Sequence, residues 1–302
     1  MAHLFSNLAG RQLLASLRTI FKEKPVYQRR HRFIIFVCGG RLGDGETSLR
    51  KQFIEWAEDH LPEFICLIAE EALKDNFAGE GRHFVNLAKF ESVIADVADC
   101  VLIFPESAGS FAETGFFANS KIIGEKTLVV NPFDLQAEDS FLNLGPIDAI
   151  SSISFLKPTV LINRQQSADF SPIGQRLKER VKGPGHRERL PYQRFGQFNF
   201  KQKLLVVFEI LRLLRLADLK TLRHALKACF GGNPPYAELT HLLRILLAAR
   251  FIQRKGEYFK VVAGLDLIEI EHLEVDKVSA QIGYFYQKYS KELYDALSEV
   301  TQ

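Results

Sequence analysis

Phe33-Ile34-Ile35-Phe36-Val37-Cys38-Gly39-Gly40 decides the fold: six apolar residues without a polar break, stopped by two glycines. A strand with one wet face would alternate. A run apolar at every position is covered on both faces, as in a parallel sheet flanked by helices. The same signal returns downstream. Residues 64–68, 100–104 and 127–130 are further apolar runs, and a fifth strand lies near 150–155 or 159–162. Between them 49–60, 83–97 and 110–120 carry helical spacing. This alternation predicts βαβ units and an α/β fold with a doubly wound parallel sheet of flavodoxin-type order. Ligands of such sheets bind beyond the carboxyl ends of the strands.

The flanks read differently. Leu8, Leu13, Leu14, Leu17 and Phe21 recur at helical spacing, and Pro25 ends that opening helix. It carries Arg11 and Arg18 and lacks the apolar core of a secretion signal. No apolar run reaches membrane-spanning length. Residues 163–199 are broken by Gln, Ser, Gly and Pro, which predicts a linker with a short basic helix near 174–182. From Lys201 onward, helical patterns at 204–216, 219–228 and 236–250 precede a hairpin pattern over 251–262. Three helices followed by a two-stranded wing is the winged-helix arrangement. A mostly acidic amphipathic helix over 273–300 follows. The expected domains are a catalytic domain over 1–164, a basic linker over 165–199, and a winged-helix, DNA-binding-like domain with its C-terminal helix over 200–302.

Composition excludes several classes and then divides the chain. With 302 residues, 47% hydrophobic and 25% charged, the chain is no collagen, disordered tail or disulfide-stapled miniature. The formal charge is small, 39 − 36 = +3. Residues 1–164 hold 17 Lys/Arg against 21 Asp/Glu, a net −4; residues 165–302 hold 22 against 15, a net +7. Within 176–260 the balance is 19 against 6, a net +13. Such a segment suits a polyanion, although an ordinary solvated basic surface has the same composition. Arg176, Lys178, Arg180, Lys182, Arg244, Arg250, Arg254, Lys255 and Lys260 are the expected nucleic-acid contacts. Tyr192, Phe195, Phe198 and Phe200 interleave aromatics suited to stacking on bases.

Chemistry concentrates behind the third strand. Phe104-Pro-Glu-Ser-Ala-Gly-Ser-Phe-Ala-Glu-Thr-Gly115 leaves that strand and opens a helix. Gly109 and Ser110 offer bare amides at a helix N-terminus, where a phosphate or sugar hydroxyl is welcome. Glu113 has two readings of equal weight: a catalytic carboxylate, or the third residue of a capping box with Ser110 as N-cap. Cys38, Gly39 and Gly40 leave room for a ligand over the sheet edge. The stretch Gly40-Arg-Leu-Gly-Asp-Gly-Glu-Thr47 approaches a phosphate-binding loop, but Glu46 replaces its lysine and sets negative charge against phosphate. Glu91 precedes the third strand, either as a pocket carboxylate or as an exposed helix charge. Asn143, in Asn143-Leu-Gly-Pro146, offers an amide after the fourth strand, or only a loop. The four cysteines form no CxxC pair and the eight histidines no HxH or HxxxH spacing, so no metal is expected.

Taken in order, Cys-Gly-Gly, the Glu-bearing helix, Ser-Phe-Ala-Glu-Thr-Gly and Asn-Leu-Gly-Pro resemble the nucleoside 2-deoxyribosyltransferase-like proteins. With the basic winged-helix pattern behind them, the chain is similar to the N-glycosidase effectors of type II retron anti-phage systems. The resemblance spans nearly the whole chain and is strongest over 33–150.

It implies that Glu113 attacks the anomeric carbon of a sugar and displaces the base, with water completing hydrolysis. It implies a substrate-binding set of Cys38, Gly39, Gly40, Glu91, Ser107, Gly109, Ser110 and Asn143. Ser107 stands where the transferases often carry an acid, a departure that points away from deoxynucleosides and toward NAD, cleaved at the nicotinamide–ribose bond. NAD is then a substrate, with no resident cofactor. The implied partners are the retron reverse transcriptase and its RNA-linked multicopy single-stranded DNA (msDNA), which hold the toxin inactive. A homo-oligomer or higher assembly, a cytoplasmic location and no membrane are expected. The competing readings are a housekeeping nucleoside 2-deoxyribosyltransferase and a non-catalytic nucleotide-sensing winged-helix regulator.

Overall fold

The computed structural model describes residues 4–29, 33–40, 48–73, 86–132, 139–163, 168–180, 188–270 and 274–298. In chain order the elements are α1 (Leu8–Glu23), β1 (Val26–Gln28), β2 (Phe33–Cys38), α2 (Leu49–His60), β3 (Phe64–Leu67), α3 (Ala69–Ala72), α4 (Leu87–Val97), β4 (Cys100–Ile103), α5 (Ala108–Ala118), α6 (Lys121–Gly124), β5 (Thr127–Pro132), α7 (Asp148–Ile153), β6 (Val160–Ile162) and α8 (Ser171–Arg180). Then come β7 (Glu188–Arg189), α9 (Phe200–Leu214), α10 (Leu219–Phe230), α11 (Tyr236–Ala248), β8 (Ile252–Lys255), β9 (Tyr258–Val261), β10 (Ile268–Ile270), α12 (Glu274–Tyr289) and α13 (Lys291–Ser298). Among the described residues, one compact unit draws on 33–72 and 86–180 and the other on 4–29 and 188–298.

The first unit is the predicted sheet. Its five strands run in the order β3-β2-β4-β5-β6, every neighbouring pair parallel, the flavodoxin-type order expected. The quoted run is β2, and all six of its residues are buried. Burial of each large side chain contributes roughly 1.5–3 kcal/mol. Phe33, Ile35 and Val37 join Phe53, Leu102, Phe104, Phe170, Ile173 and Leu177 in one core. Side chains alternate along a strand, so Phe36 and Cys38 face the other way. The ring of Phe36 meets that of Phe117 on α5 at 6.1 Å. Cys38 therefore ends the strand on the face that α5 covers. The fifth strand is β6; residues 148–153, which overlap the alternative run, are α7.

Two parts of the predicted organisation change. The 165–199 segment is not a linker throughout: α8 lays Ile173 and Leu177, both fully buried, into the sheet core. The opening helix α1, expected with the catalytic domain, packs instead on α10 and α12 in the second unit. Its stripe of Leu14, Leu17, Ile20 and Phe21 is buried there. β1 follows it into a three-stranded antiparallel sheet, β10-β1-β7.

The remainder of the second unit is three helices, α9 to α11, followed by the β8–β9 hairpin. A bridge between Ala217 and Phe259 ties the hairpin to the turn before α10. The expected C-terminal helix is two, α12 and α13, separated at Ser290. Tyr286 on α12 is buried and donates its hydroxyl to the Leu216 carbonyl at 2.9 Å.

Candidate active site

The start of α5 settles which residues cap it. Ser107, not Ser110, is the N-cap: its hydroxyl accepts from the Ser110 amide at 3.2 Å. The buried Ser110 hydroxyl accepts in return from the Ser107 amide at 2.9 Å and the Glu106 amide at 3.0 Å. The box is closed by two serines, and Glu113 has no part in it. The helix starts two residues before the predicted position because both Ser107-x-x-Ser110 and Ser110-x-x-Glu113 fit a capping pattern. Gly109 is exposed in the first turn.

Glu113 sits one turn further along, half-buried, with Oε2 shielded from solvent and without a hydrogen-bond partner among the described residues. Its other link is the Cys38 thiol, which hydrogen-bonds the carboxylate. Burial raises the Glu113 pKa, Arg50 opposes that, Glu70 adds to it, and the Cys38 hydrogen bond lowers it again. Glu91 on α4 is buried. Burial first, then the Glu113 and Glu70 charges, push its carboxyl up to about 7, against the pull of Arg50. Glu91 is thus a buried carboxylate, not a solvated helix charge. Burial, reinforced by Glu113 and Glu91, raises the Cys38 thiol well above its ordinary range. Cys38 is a protonated hydrogen-bond donor here, not a nucleophile.

Three residues that the sequence reading did not single out complete the cluster. Arg50, 3% exposed on the first turn of α2, makes a fork with Glu70 at 3.3 and 3.0 Å. Glu106 bends back over the sheet edge, and its carboxylate accepts from the amides of Gly40 (2.9 Å), Leu49 (2.9 Å) and Arg50 (3.2 Å). The anion-binding end of α2 is therefore filled by the protein's own side chain. Ser48 completes the cap by accepting from Lys51 at 3.1 Å. Residues 41–47, the rest of the near phosphate-binding loop, lie outside the described residues. Gly39 and Gly40 are required by this closeness: a Cβ on Gly39 would stand 2.7 Å from Arg50 Cβ, and one on Gly40 3.0 Å from Ser48 Cβ. Glu106 was legible as the one acid between β4 and α5; Arg50 and Glu70 offered no pattern.

Asn143 opens a five-residue π-helical turn, Asn143–Ile147, that packs on α5. Its side-chain oxygen accepts from Asn131, near the carboxyl end of β5, at 3.0 Å. Such turns recur at functional sites. The structure thus gathers Cys38, Gly39, Gly40, Ser107, Ser110 and Glu113 at the carboxyl ends of β2 and β4, with Glu91 coupled to them and Asn143 beyond β5. Chemically this is one carboxylate whose pKa burial raises against the pull of an arginine, a second raised to about 7, and a thiol donor. Among the described residues no group of His, Cys, Asp and Glu could hold a metal ion, and no helix is long and apolar enough to cross a membrane.

The predicted nucleic-acid residues divide between the two units. Arg176, Lys178 and Arg180 lie on α8 of the sheet unit, and Lys182 lies outside the described residues. Arg176 donates to the carbonyls of Leu156 and Pro158, and Lys178 to that of His60, so both tie α8 down. Arg244 is buried on α11, 6% exposed, and is removed from any surface. Arg250 and Lys255 are exposed, and Arg254 and Lys260 half-buried, at the end of α11 and on the hairpin. Of the aromatics, Phe195 and Phe198 are core residues, Phe200 is half-buried, and Tyr192 alone is exposed.

Comparison with known proteins bears on these features. The family model described as STM3845 retron effector protein matches residues 46–254. A protein of retron Ec73 from Escherichia coli, whose name gives it an inferred role as a ribosyltransferase and DNA-binding protein, is 28% identical over 276 residues. The match covers 85% of this chain and 86% of that protein. The retron Ec86 protein of Escherichia coli, named in the same way, is 31% identical over 113 residues, 37% of this chain and 36% of its own.

Proposed function

Because the chain belongs to the STM3845 retron effector family, we propose that it is the toxic arm of a retron anti-phage system, an N-glycosidase that cleaves NAD or a related nucleotide. The observation that carries this reading is Glu113: freed from the helix cap, its Oε2 shielded and unpartnered among the described residues, at the carboxyl end of a parallel sheet. The relatives' ribosyltransferase names and the deoxyribosyltransferase-like order of motifs point the same way.

The residues divide the reaction between them. Glu113 Oε2 attacks C1′ of the ribose as the C1′–N bond to nicotinamide breaks. The bonding electron pair goes to the ring nitrogen, so neutral nicotinamide leaves without needing a proton. Arg50 favours the ionised nucleophile, and Cys38 donates a hydrogen bond to it. Glu91, with its pKa near 7, then takes a proton from water as the water oxygen bonds C1′. The C1′–O bond to Glu113 breaks and the carboxylate is regenerated. A nucleophile other than water at this second step gives transfer in place of hydrolysis.

The second unit supplies the control. Its three helices and hairpin, with Arg250, Arg254, Lys255 and Lys260 at the helix end and on the hairpin, suit a winged helix that holds msDNA. With the reverse transcriptase bound as well, the effector stays silent until a phage disturbs the complex. The test is to incubate the purified protein with NAD and follow free nicotinamide, wild type beside Glu113→Gln. Release by the wild type alone is expected. No release in the free protein, in the complex or after removal of msDNA overturns the NAD assignment.

A further inference from the structure

We propose that the second unit carries a pocket for a phosphorylated nucleoside, the phosphate held by Arg18, Arg194 and Lys227 and the base laid against Tyr192. The cavity has a volume of 730 Å³ and is built from α1, the segment before α9 and the end of α10. Small-molecule sites run from about 300 to 1,000 Å³. No hairpin residue lines it, so it is a surface separate from the one assigned to msDNA above.

Charge and shape together narrow the ligand. Three cations line the cavity and no acid does. Among the described residues none of the three is paired with a carboxylate. The carbonyl end of α10, which would otherwise attract them, is already occupied: the Gly231 amide donates to Lys227 O at 2.9 Å and the Tyr192 hydroxyl to Cys229 O at 2.7 Å. That second bond also fixes the Tyr192 ring, which packs on buried Phe230 at 5.9 Å. Tyr192 remains 37% exposed, leaving ring surface for a planar base. Gly231 and Gly232, at φ +71° and +77°, form a bare rim with no atom within 4 Å of an added Cβ. A fixed aromatic beside two guanidinium forks and an ammonium matches base plus phosphate better than a simple anion, which needs no ring.

The same chemistry is offered by an unpaired nucleotide of a nucleic acid strand and by a free nucleotide. The test uses the full chain with two probes: a labelled single strand of about 12 nucleotides and deoxyadenosine 5′-monophosphate. Arg194→Ala with Lys227→Ala, and separately Arg18→Ala, change exposed side chains and should leave the melting temperature unmoved. Each variant is expected to weaken binding by about tenfold and to flatten its salt dependence. Loss for the strand alone names nucleic acid as the source; loss for both probes shows that a nucleotide suffices. Arg254→Ala with Lys255→Ala tests the hairpin independently. Wild-type affinity for both probes in the pocket variants overturns the pocket, whatever the hairpin variant does, and so does a wild type that binds neither probe.

Discussion

The Ser107 and Ser110 side chains each accept a hydrogen bond from the other's backbone amide, at 3.2 and 2.9 Å. This exchange satisfies the first turn of α5 without help from any acid. It leaves the Glu113 carboxylate, one turn on, facing Cys38, with Arg50 and Glu70 acting on it electrostatically. A carboxylate that performs no structural task can be changed without cost to the fold.

Glu113→Gln is therefore expected to lower NAD turnover by about a thousandfold or more while leaving the melting temperature within a degree or so. Nicotinamide release and thermal unfolding on the same preparation check both halves. A variant that unfolds would mean that Glu113 supports the helix after all.

Glu91→Gln should separate stability from chemistry. In the folded protein the Glu91 carboxyl is raised from 4.5 to about 7, so between those values the folded state binds more protons than the unfolded one. Stability falls as pH rises through that window. The substitution removes the penalty, so the variant should be the more stable protein near pH 8, by up to roughly 3 kcal/mol, and equal to wild type near pH 4. Urea unfolding at the two pH values measures this. Wild-type turnover should decline below about pH 7 as Glu91 takes its proton, and the variant should be slow with that limb gone.

Gly39→Ala sets a methyl group 2.7 Å from Arg50 Cβ and 3.0 Å from Glu106 Oε1. Arg50 must shift, and Glu113 loses the cation that favours its ionised form. The expected result is a stability loss of about 1–3 kcal/mol and at least a tenfold fall in turnover. Full activity in this variant would remove Arg50 from the mechanism.

Arg244→Ala and the pair Arg254→Ala with Lys255→Ala should behave oppositely. Arg244 is buried, so its loss should lower the unfolding midpoint and leave the salt dependence of nucleic-acid binding alone. The hairpin pair should leave the midpoint alone and reduce the salt slope by about 2. Filter binding across a salt series, beside thermal unfolding, distinguishes them.

The sheet was legible because β2 is apolar at every position and the glycines after it mark its end. Glu113, Cys38 and Asn143 were singled out for a related reason, that strand ends in such folds point at ligands, and the structure places all three past or at strand ends. What the sequence hid was anything joined over a distance. Glu106 reaches Gly40 across 66 residues and Arg50 meets Glu70 across 20, and neither spacing is a pattern. The three-stranded sheet was missed because strands of two or three residues are too short for periodicity. Basic residues misled where the fold used them: half-buried Arg176, bound to the Leu156 carbonyl, and buried Arg244 count toward a positive segment but hold the fold together.

The placement of α1 sets an order of events during synthesis. The sheet unit finds all its strands within one span and can close while the ribosome is still working. The other unit cannot, because α1 precedes the sheet in the chain and must wait for α10 and α12, which follow it. Until then its stripe of Leu14, Leu17 and Phe21 is uncovered. A chain cut short before α12 would release an assembled sheet and its carboxylates with the second unit incomplete, so the unit made in one span matures before the unit that joins both flanks of the sheet.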